Sequence, residues 1–389
     1  MKSFSEIFPI FLKLGLTYFG GPVAHIGYFR KEFVGRRKWL DEQAYADLIS
    51  LCQFLPGPAS SQVGMALGLS RGGLVGALFA WLGFTLPSAI LLILFGIGFH
   101  HFQSGFGGWL QGLEIASVSV VAQAVWSMTK PHFSDWRKIA LILASAACSL
   151  LNPFPWMQIL IIVAGGIVGL SIFQIPGQLP HEPLRNIPGR GTGFFLLFTF
   201  LFLLLFLPIL ASFTGSDPVR FFASFYRAGS LVFGGGHVVL PLLQSLVVMP
   251  GWVSSDEFLA GYGAAQAVPG PIFTFAAYLG AISNRTPSGW VGGFIALFAI
   301  FLPSFLLVAG ILPFWEKLRS ILPVRQAMPG IHCAVAGLLL AAFYHPVCTT
   351  GIRNGFDFTL AVFGLFMLSK IPAWAVVLSI LFIAAVFHS

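Results

Sequence analysis

Long apolar runs separated by short polar or basic segments set the pattern of this chain. Runs at 73–99, 113–129, 138–151, 156–173, 194–212, 288–315, 328–344, 358–369 and 373–388 read as membrane-crossing helices. Two stretches break the pattern. "SLCQFLPGPASSQ" at 50–62 and "GAAQAVPGPIFTF" at 263–275 place Pro-Gly-Pro inside otherwise apolar sequence. Proline removes a donor and forces a bend, and glycine permits unusual dihedrals. Such a break at membrane depth is tolerated only where protein or a water-filled cavity surrounds it.

The breaks belong to an internal repeat. Phe19-Gly20-Gly21 recurs as Phe233-Gly234-Gly235, and Trp39 as Trp252. Gln53, Pro56, Gly57 and Pro58 recur as Gln266, Pro269, Gly270 and Pro271. Leu86-Pro87-Ser88 recurs as Leu302-Pro303-Ser304, Gly112 as Gly330, and Trp156 as Trp374. Residues 1–175 and 219–389 therefore read as two copies of one unit. Between them lie a Pro/Gly-rich linker, 176–192, and the unrepeated apolar run, together 176–218. Segments 4–38, 41–70, 221–249 and 254–283 read as helical hairpins bent at the breaks.

Composition fixes the class. The chain is 57% hydrophobic and 9% charged, where a soluble domain carries roughly 25% charged residues. It is expected to be an all-α polytopic membrane protein. The net charge of +8 reads as the positive bias of cytoplasmic loops rather than as a nucleic-acid surface. Its distribution orients the copies. Arg30, Lys31, Arg36, Arg37 and Lys38 follow the first Phe-Gly-Gly, whereas 244–257 holds only Asp256 and Glu257. Conversely, 100–112 carries no charged residue, while its counterpart carries Lys317, Arg319 and Arg325. Equivalent loops of opposite bias predict inverted repeats, with the N-terminus cytoplasmic and the C-terminus periplasmic. Arg285 and Arg353 are exceptions, in loops placed outside.

The candidate site follows from the breaks. A half-helix that starts near mid-membrane presents unpaired N–H groups and a partial positive charge, which suit an anion. Gly57, Pro58, Ser60 and Ser61 in one copy, and Gly270, Pro271 and Thr274 in the other, are the candidates there. Pro58 and Pro271 are expected at the first helical position. Gly20, Gly21 and Pro22, with Gly234, Gly235 and Gly236, form the second pair of breaks. Lys13 and Arg227 occupy equivalent places before them. A cation inside an apolar segment is costly and points to function, although snorkelling to the interface also accounts for Lys13. His25 and His237 follow the breaks without being equivalent. Gln53 and Gln266 precede the Pro-Gly-Pro bends. Asp47, Glu114, Asp256 and Glu257 are candidates for proton coupling, with solvated carboxylates or helix caps as the plainer reading.

The four cysteines form no C-x-x-C and have no metal spacing, so no disulfide, metal or cofactor is expected. No G-x-x-x-x-G-K-[ST] occurs, which leaves an ion or substrate gradient as the energy source.

FGGP followed by a basic segment and W-L-D-E, then Q-F-L-P-G-P, then G-L-V-G-A and L-P-S, resembles the chromate transporter family. The resemblance covers both halves, the second reading FGGGHVVLPLL and QAVPGP. It implies a secondary carrier of the bacterial inner membrane that exports chromate, confers chromate resistance and is close to sulfate handling. Pro22 is replaced by Gly236 in the second copy, so the two sites are chemically unequal. The expected function is transport of a tetrahedral oxyanion by alternating access. Its partners would be chromate or a sulfate-like anion, the lipid bilayer, and a coupling proton or counter-anion. A homodimer stays open, and so does a passive anion channel. A membrane-embedded enzyme would need a catalytic cluster or redox motif that the sequence does not offer.

Overall fold

The computed structural model describes residues 4–19, 21–101, 107–152, 155–172, 187–233, 239–319 and 321–387. Among these the chain is helical and contains no strand. The first half runs α1 (Phe4–Thr17), α2 (Gly21–Phe29), a π-helical segment Arg30–Arg36, α3 (Glu42–Phe54), α4 (Ala59–His101), α5 (Gly107–Thr129), α6 (Trp136–Leu151) and α7 (Pro155–Ile172). Helix α8 (Arg190–Thr214) follows. The second half runs α9 (Asp217–Leu231), α10 (Val239–Leu243), a π-helical segment Gln244–Val248, α11 (Ser255–Ala267), a 3₁₀ turn Ile272–Thr274, α12 (Phe275–Ala281), α13 (Gly289–Ile311), α14 (Trp315–Arg319) and α15 (Leu322–Ala342). It ends with α16 (Thr349–Gly351), α17 (Gly355–Met367) and α18 (Ala373–Phe387).

The order of elements recurs down to the π-helical segment after each Phe-Gly-Gly. Helices α1, α3, α5, α6 and α7 have α9, α11, α15, α17 and α18 as counterparts. The copies differ at one corner. In the first, the chain reverses within two residues at Gly72 and Gly73, where Gly73 takes φ 64°, so that Gly68 and Gly76 meet backbone to backbone and α4 is two arms folded on each other. In the second, the chain leaves helix between α12 and α13 and re-enters at Gly289, φ 61°. The run 73–99 is thus an arm folded back on the helix that starts at Ala59, as α13 folds back on α12 where Gly280 meets Gly292.

Among the described residues, four segments are long and apolar enough to cross a membrane: Ala59–Gly98, which is folded at Gly72 and Gly73, Arg190–Thr214, Gly289–Phe314 and Arg325–Gly351. Others are shorter. Helix α17 has 13 residues, about 20 Å at 1.5 Å per residue, against a hydrocarbon core of about 30 Å. Large apolar side chains stay exposed along α8, among them Phe194, Phe198, Phe202 and Phe213, as lipid contact requires. Helix α8 leans on α9 and α13.

Helices α4 and α13 form the centre and run antiparallel. Trp81 packs on Phe301 with ring centroids 5.7 Å apart, and Ile93 lies against Gly293. Each carries one arm of its own copy. A Cβ on Gly15 of α1 would meet the Phe84 carbonyl at 2.6 Å, and one on Gly229 of α9 would strike the Ile300 carbonyl. Without a hydrophobic drive between helices in lipid, such close backbone approach is what holds them.

The copies also exchange helices. Helix α5 packs on α17 and α18, and α15 packs on α6 and α7. Gly112 meets the backbone of Leu381, and Gly330 meets the carbonyl of Gly165. The recurring Gly112/Gly330 pair thus marks two equivalent crossings, each between copies. The interlocked halves share one core.

The basic segment after α2 is braced by acids. Glu32 accepts from Arg37 at 2.6 Å and pairs with Arg36 at 3.3 Å, and Arg37 reaches Glu6 at 3.4 Å. The Arg30–Glu42 pair is exposed on both sides and so adds little.

Gly330→Val places a branched side chain against the Gly165 backbone. It is expected to lower stability by about 1–3 kcal/mol, read as an earlier thermal transition of the purified protein in detergent. Val at Gly189, which has open space around it, should leave that transition unchanged.

Candidate functional site

The site begins with backbone groups that the helix ends release. Helix α3 stops at Phe54, and Leu55 turns to an extended conformation. Gly57 then takes φ +126° and its counterpart Gly270 φ +106°, a region L side chains rarely enter. Helix α1 ends before Tyr18, and α9 ends before Val232, so both residues lie just outside their helices.

These loose ends satisfy one another across the copies. The Gly57 amide donates to the Val232 carbonyl at 2.6 Å, and the Gly270 amide donates to the Tyr18 carbonyl at 3.1 Å. Tyr18 and Val232 each precede a Phe-Gly-Gly. The Pro-Gly-Pro bend of each copy is therefore laced to the Phe-Gly-Gly break of the other. Gly57 and Gly270 do not offer free N–H groups, because burial without a partner would cost about 1–3 kcal/mol each. Pro58 directly precedes α4, and Pro271 caps the 3₁₀ turn with ψ 132°. Both thus sit one place before the first helical position, a correction to the sequence expectation. Proline there supplies the extended entry while its ring lacks a donor to leave stranded.

A serine stands behind each glycine. A Cβ on Gly270 would lie 2.7 Å from Ser88 Oγ, and one on Gly57 would strike Ser304 Oγ. Ser88 donates to the Thr85 carbonyl at 3.0 Å. Gln62 spans the first bend, its Nε2 donating to the Pro56 carbonyl at 2.7 Å and reaching Ser304 Oγ at 3.5 Å. Both serines follow an in-helix proline, Pro87 or Pro303, whose missing N–H frees a carbonyl one turn back. Ser88, Ser304, Gln62, Tyr18 and Val232 escaped the list of candidates. The recurring Leu-Pro-Ser was the signal for the two serines; nothing in sequence marked the carbonyls.

The named candidates divide. His25 is buried, and its Nε2–H donates to the Tyr18 carbonyl at 3.2 Å. Its ring stands edge-on to Phe84 with centroids 5.1 Å apart. Its Nδ1 is buried with no hydrogen-bond partner among the described residues. Ser60, Ser61 and Thr274 are buried in the first turns after the bends. Thr274 Oγ1 returns its proton to the Pro271 carbonyl at 2.7 Å, whereas Ser61 Oγ has no partner among the described residues. Gln266 is half-buried and hydrogen-bonded to Tyr262. Gln53 turns its side chain outward, and its backbone carbonyl accepts from His332. Lys13 is exposed and lines a cavity of about 490 Å³ with Glu6, Pro9, Ile10 and Arg37, grouped with the ion pairs of the basic segment. Arg227 is half-buried. Gly21 and Pro22 open α2. Gly20, Gly234, Gly235, Gly236 and His237 lie outside the described residues.

Of the four coupling candidates, Glu257 forms a capping box with Ser254, the plainer role. Asp47 accepts from Trp315 Nε1 at 3.1 Å. Glu114 is buried and meets Arg353 at 2.8 Å.

Spanning helices, paired broken helices and buried polar groups at the breaks define a polytopic membrane protein of the transporter class. The chain belongs to the chromate transporter family, which matches residues 5–170 and 219–387 and so both halves. It is 27% identical to a probable chromate transport protein of Synechococcus elongatus over 96% of this chain and 90% of that protein. It is 26% identical to a chromate transport protein of Pseudomonas aeruginosa, covering 87% and 79%. An uncharacterized transporter of Methanocaldococcus jannaschii is 28% identical, covering 86% and 82%. No solved structure matches the chain.

Gly57→Ala is expected to cost about 1–3 kcal/mol from the forced φ, beyond its clash with Ser304. A Gly57→Ala, Gln62→Ala, Ser304→Gly variant, which clears both side chains that such a Cβ would meet, should therefore recover only part of the thermal stability that Gly57→Ala costs, measured against Gln62→Ala, Ser304→Gly. Full recovery would show that space, not backbone conformation, fixes that glycine.

Proposed function

We propose that this protein is a secondary transporter of a tetrahedral oxyanion, with chromate as its foremost substrate and sulfate as a close analogue. The observation that carries the reading is the reciprocal lacing of Gly57 to Val232 and of Gly270 to Tyr18. It gathers the four breaks of two copies along the middles of α4 and α13, where Ser88 and Ser304 stand. Broken helices at a repeat interface are where secondary carriers bind their ions.

The anion would be held by the first N–H groups of α4 after Pro58, with the Ser60 and Ser61 hydroxyls beside them. The Ser61 hydroxyl, buried and unpartnered among the described residues, is the donor best placed to turn to a ligand. The Nε2 amide of Gln266 adds a buried donor near the bends, whereas His25 Nδ1, the lone-pair nitrogen once Nε2–H is given to Tyr18, would bind an anion only when protonated. Neutral donors compensate a dianion without the desolvation that a buried cation demands. Arg227 supplies positive charge from α9. Lys13, beside Glu6 and Arg37, serves the entrance.

The antiparallel crossing of α4 and α13 supports an inverted arrangement of the copies. Alternating access would follow as one copy rocks against the other about that crossing. One lacing bond would open toward each side in turn while the other keeps the barrier closed. The charge distribution supports an N-terminus in the cytoplasm of a bacterial inner membrane and a periplasmic C-terminus, with export conferring chromate resistance.

Proteoliposomes test the substrate. Labelled chromate should enter by exchange against internal chromate, with sulfate competing best among sulfate, molybdate and phosphate. Uptake that internal chromate fails to accelerate would instead identify a passive channel. Ser61→Ala removes one donor and should weaken chromate about tenfold, the equivalent of about 1.4 kcal/mol, in an equilibrium binding assay. Unchanged affinity would remove Ser61 from the site.

A further inference from the structure

A second polar site lies away from the breaks, where α5 of one copy meets the α16–α17 segment of the other. Glu114 on α5 is fully buried. Its Oε2 accepts from Arg353 Nη2 at 2.8 Å, but its Oε1 is buried with no hydrogen-bond partner among the described residues. One turn earlier, Gln111 donates from Nε2 to Asp357 Oδ2 at 3.0 Å and toward the Gly351 carbonyl at 3.4 Å. Asp357 is also fully buried and takes the backbone N–H of Arg353 at 3.0 Å. Its own N–H is capped by Asn354.

Arg353 faces two buried carboxylates, Glu114 and Asp357. Asp256, from α11, adds a further negative charge toward Glu114. Helix α18, which packs along the same part of α5, contains no ionisable residue. His345, in the π-helical segment Phe343–Cys348 that precedes α16, is exposed and engaged with Thr349 at 3.0 Å. A buried carboxylate oxygen without a donor is costly, and Oε1 is therefore the atom of this pair on which a proton is most readily accepted. The Arg353 side chain is 51% exposed, so it can leave Glu114 without entering a dry environment.

From this geometry we infer that Glu114 is a proton-binding site, gated by Arg353, that couples transport to a proton gradient. The inference rests on the transport reading above. Bound to Arg353, Glu114 is a carboxylate. A proton from the aqueous phase adds to its free oxygen, the Arg353 contact opens, and the segment 351–357 is released from α5. Loss of the proton restores the pair. No other reactant is needed. The second copy carries His332 at the place equivalent to Glu114, its ring given to the Gln53 backbone. The carboxylate device therefore occurs once. With the copies inverted it serves one face of the membrane, which a directional coupling requires.

The test uses the full chain in proteoliposomes with labelled chromate. Wild-type protein should exchange chromate at equal pH on both sides and take it up faster when a pH gradient is imposed. Glu114→Gln should keep the exchange and lose the response to the gradient. Arg353→Gln should keep a response with a shifted pH midpoint. Difference infrared spectra of wild-type protein across a pH step should show a carboxyl band that Glu114→Gln lacks. A Glu114→Gln protein that answers the gradient as wild type does, or a wild-type spectrum without a titrating carboxyl band, overturns the inference. If Glu114→Gln fails to fold, that wild-type spectrum and the Arg353→Gln midpoint decide alone. Wild-type protein that exchanges no chromate, yet shows the band, sinks the oxyanion reading and leaves the proton site standing.

Discussion

Every broken helix in an apolar medium must find partners for the backbone groups it releases, and this fold is organised around that demand. Two Pro-Gly-Pro bends and two Phe-Gly-Gly breaks free amides and carbonyls where lipid can satisfy none of them. The structure pairs the Gly57 amide with the Val232 carbonyl and the Gly270 amide with the Tyr18 carbonyl. Each bond needs the other copy. A single copy would leave its own breaks unmet, so the two cannot be understood as independent domains joined by a linker. The positive φ of each glycine is what turns its amide toward that partner.

Close packing follows from the same medium. Lipid offers no hydrophobic reward for burying Leu against Leu, so contacts depend on backbones coming near. Gly15 on Phe84 and Gly229 on Ile300 seat the first arms on α4 and α13. Gly112 on Leu381 and Gly330 on Gly165 join helices of different copies.

The polar groups are divided by depth and purpose. At the basic end, Glu32 and Glu6 neutralise part of the cluster around Arg36 and Arg37, so that charge is partly structural. At the breaks the polar atoms are neutral hydroxyls, amides and an imidazole. The buried carboxylates Glu114 and Asp357 lie elsewhere, against α5.

The sequence by itself determined the helical membrane class, the two related halves, the positions of the four breaks and the family, because each is written in local composition or in recurrence. Pro56-Gly57-Pro58 cannot continue a helix wherever it lies, and charge in loops is read without knowing contacts. Tertiary structure alone decided what meets what. No local signal tells that Tyr18 accepts from Gly270, that Ser304 stands behind Gly57, or that Arg353 reaches Glu114, since these partners lie hundreds of residues apart. Nor could sequence tell that equivalent Lys13 and Arg227 differ in burial: equal register in a repeat fixes where a side chain starts, and the surrounding packing fixes where it ends. The carbonyls of Tyr18 and Val232 were the least legible of all, because every residue carries one and only the fold selects which is left free.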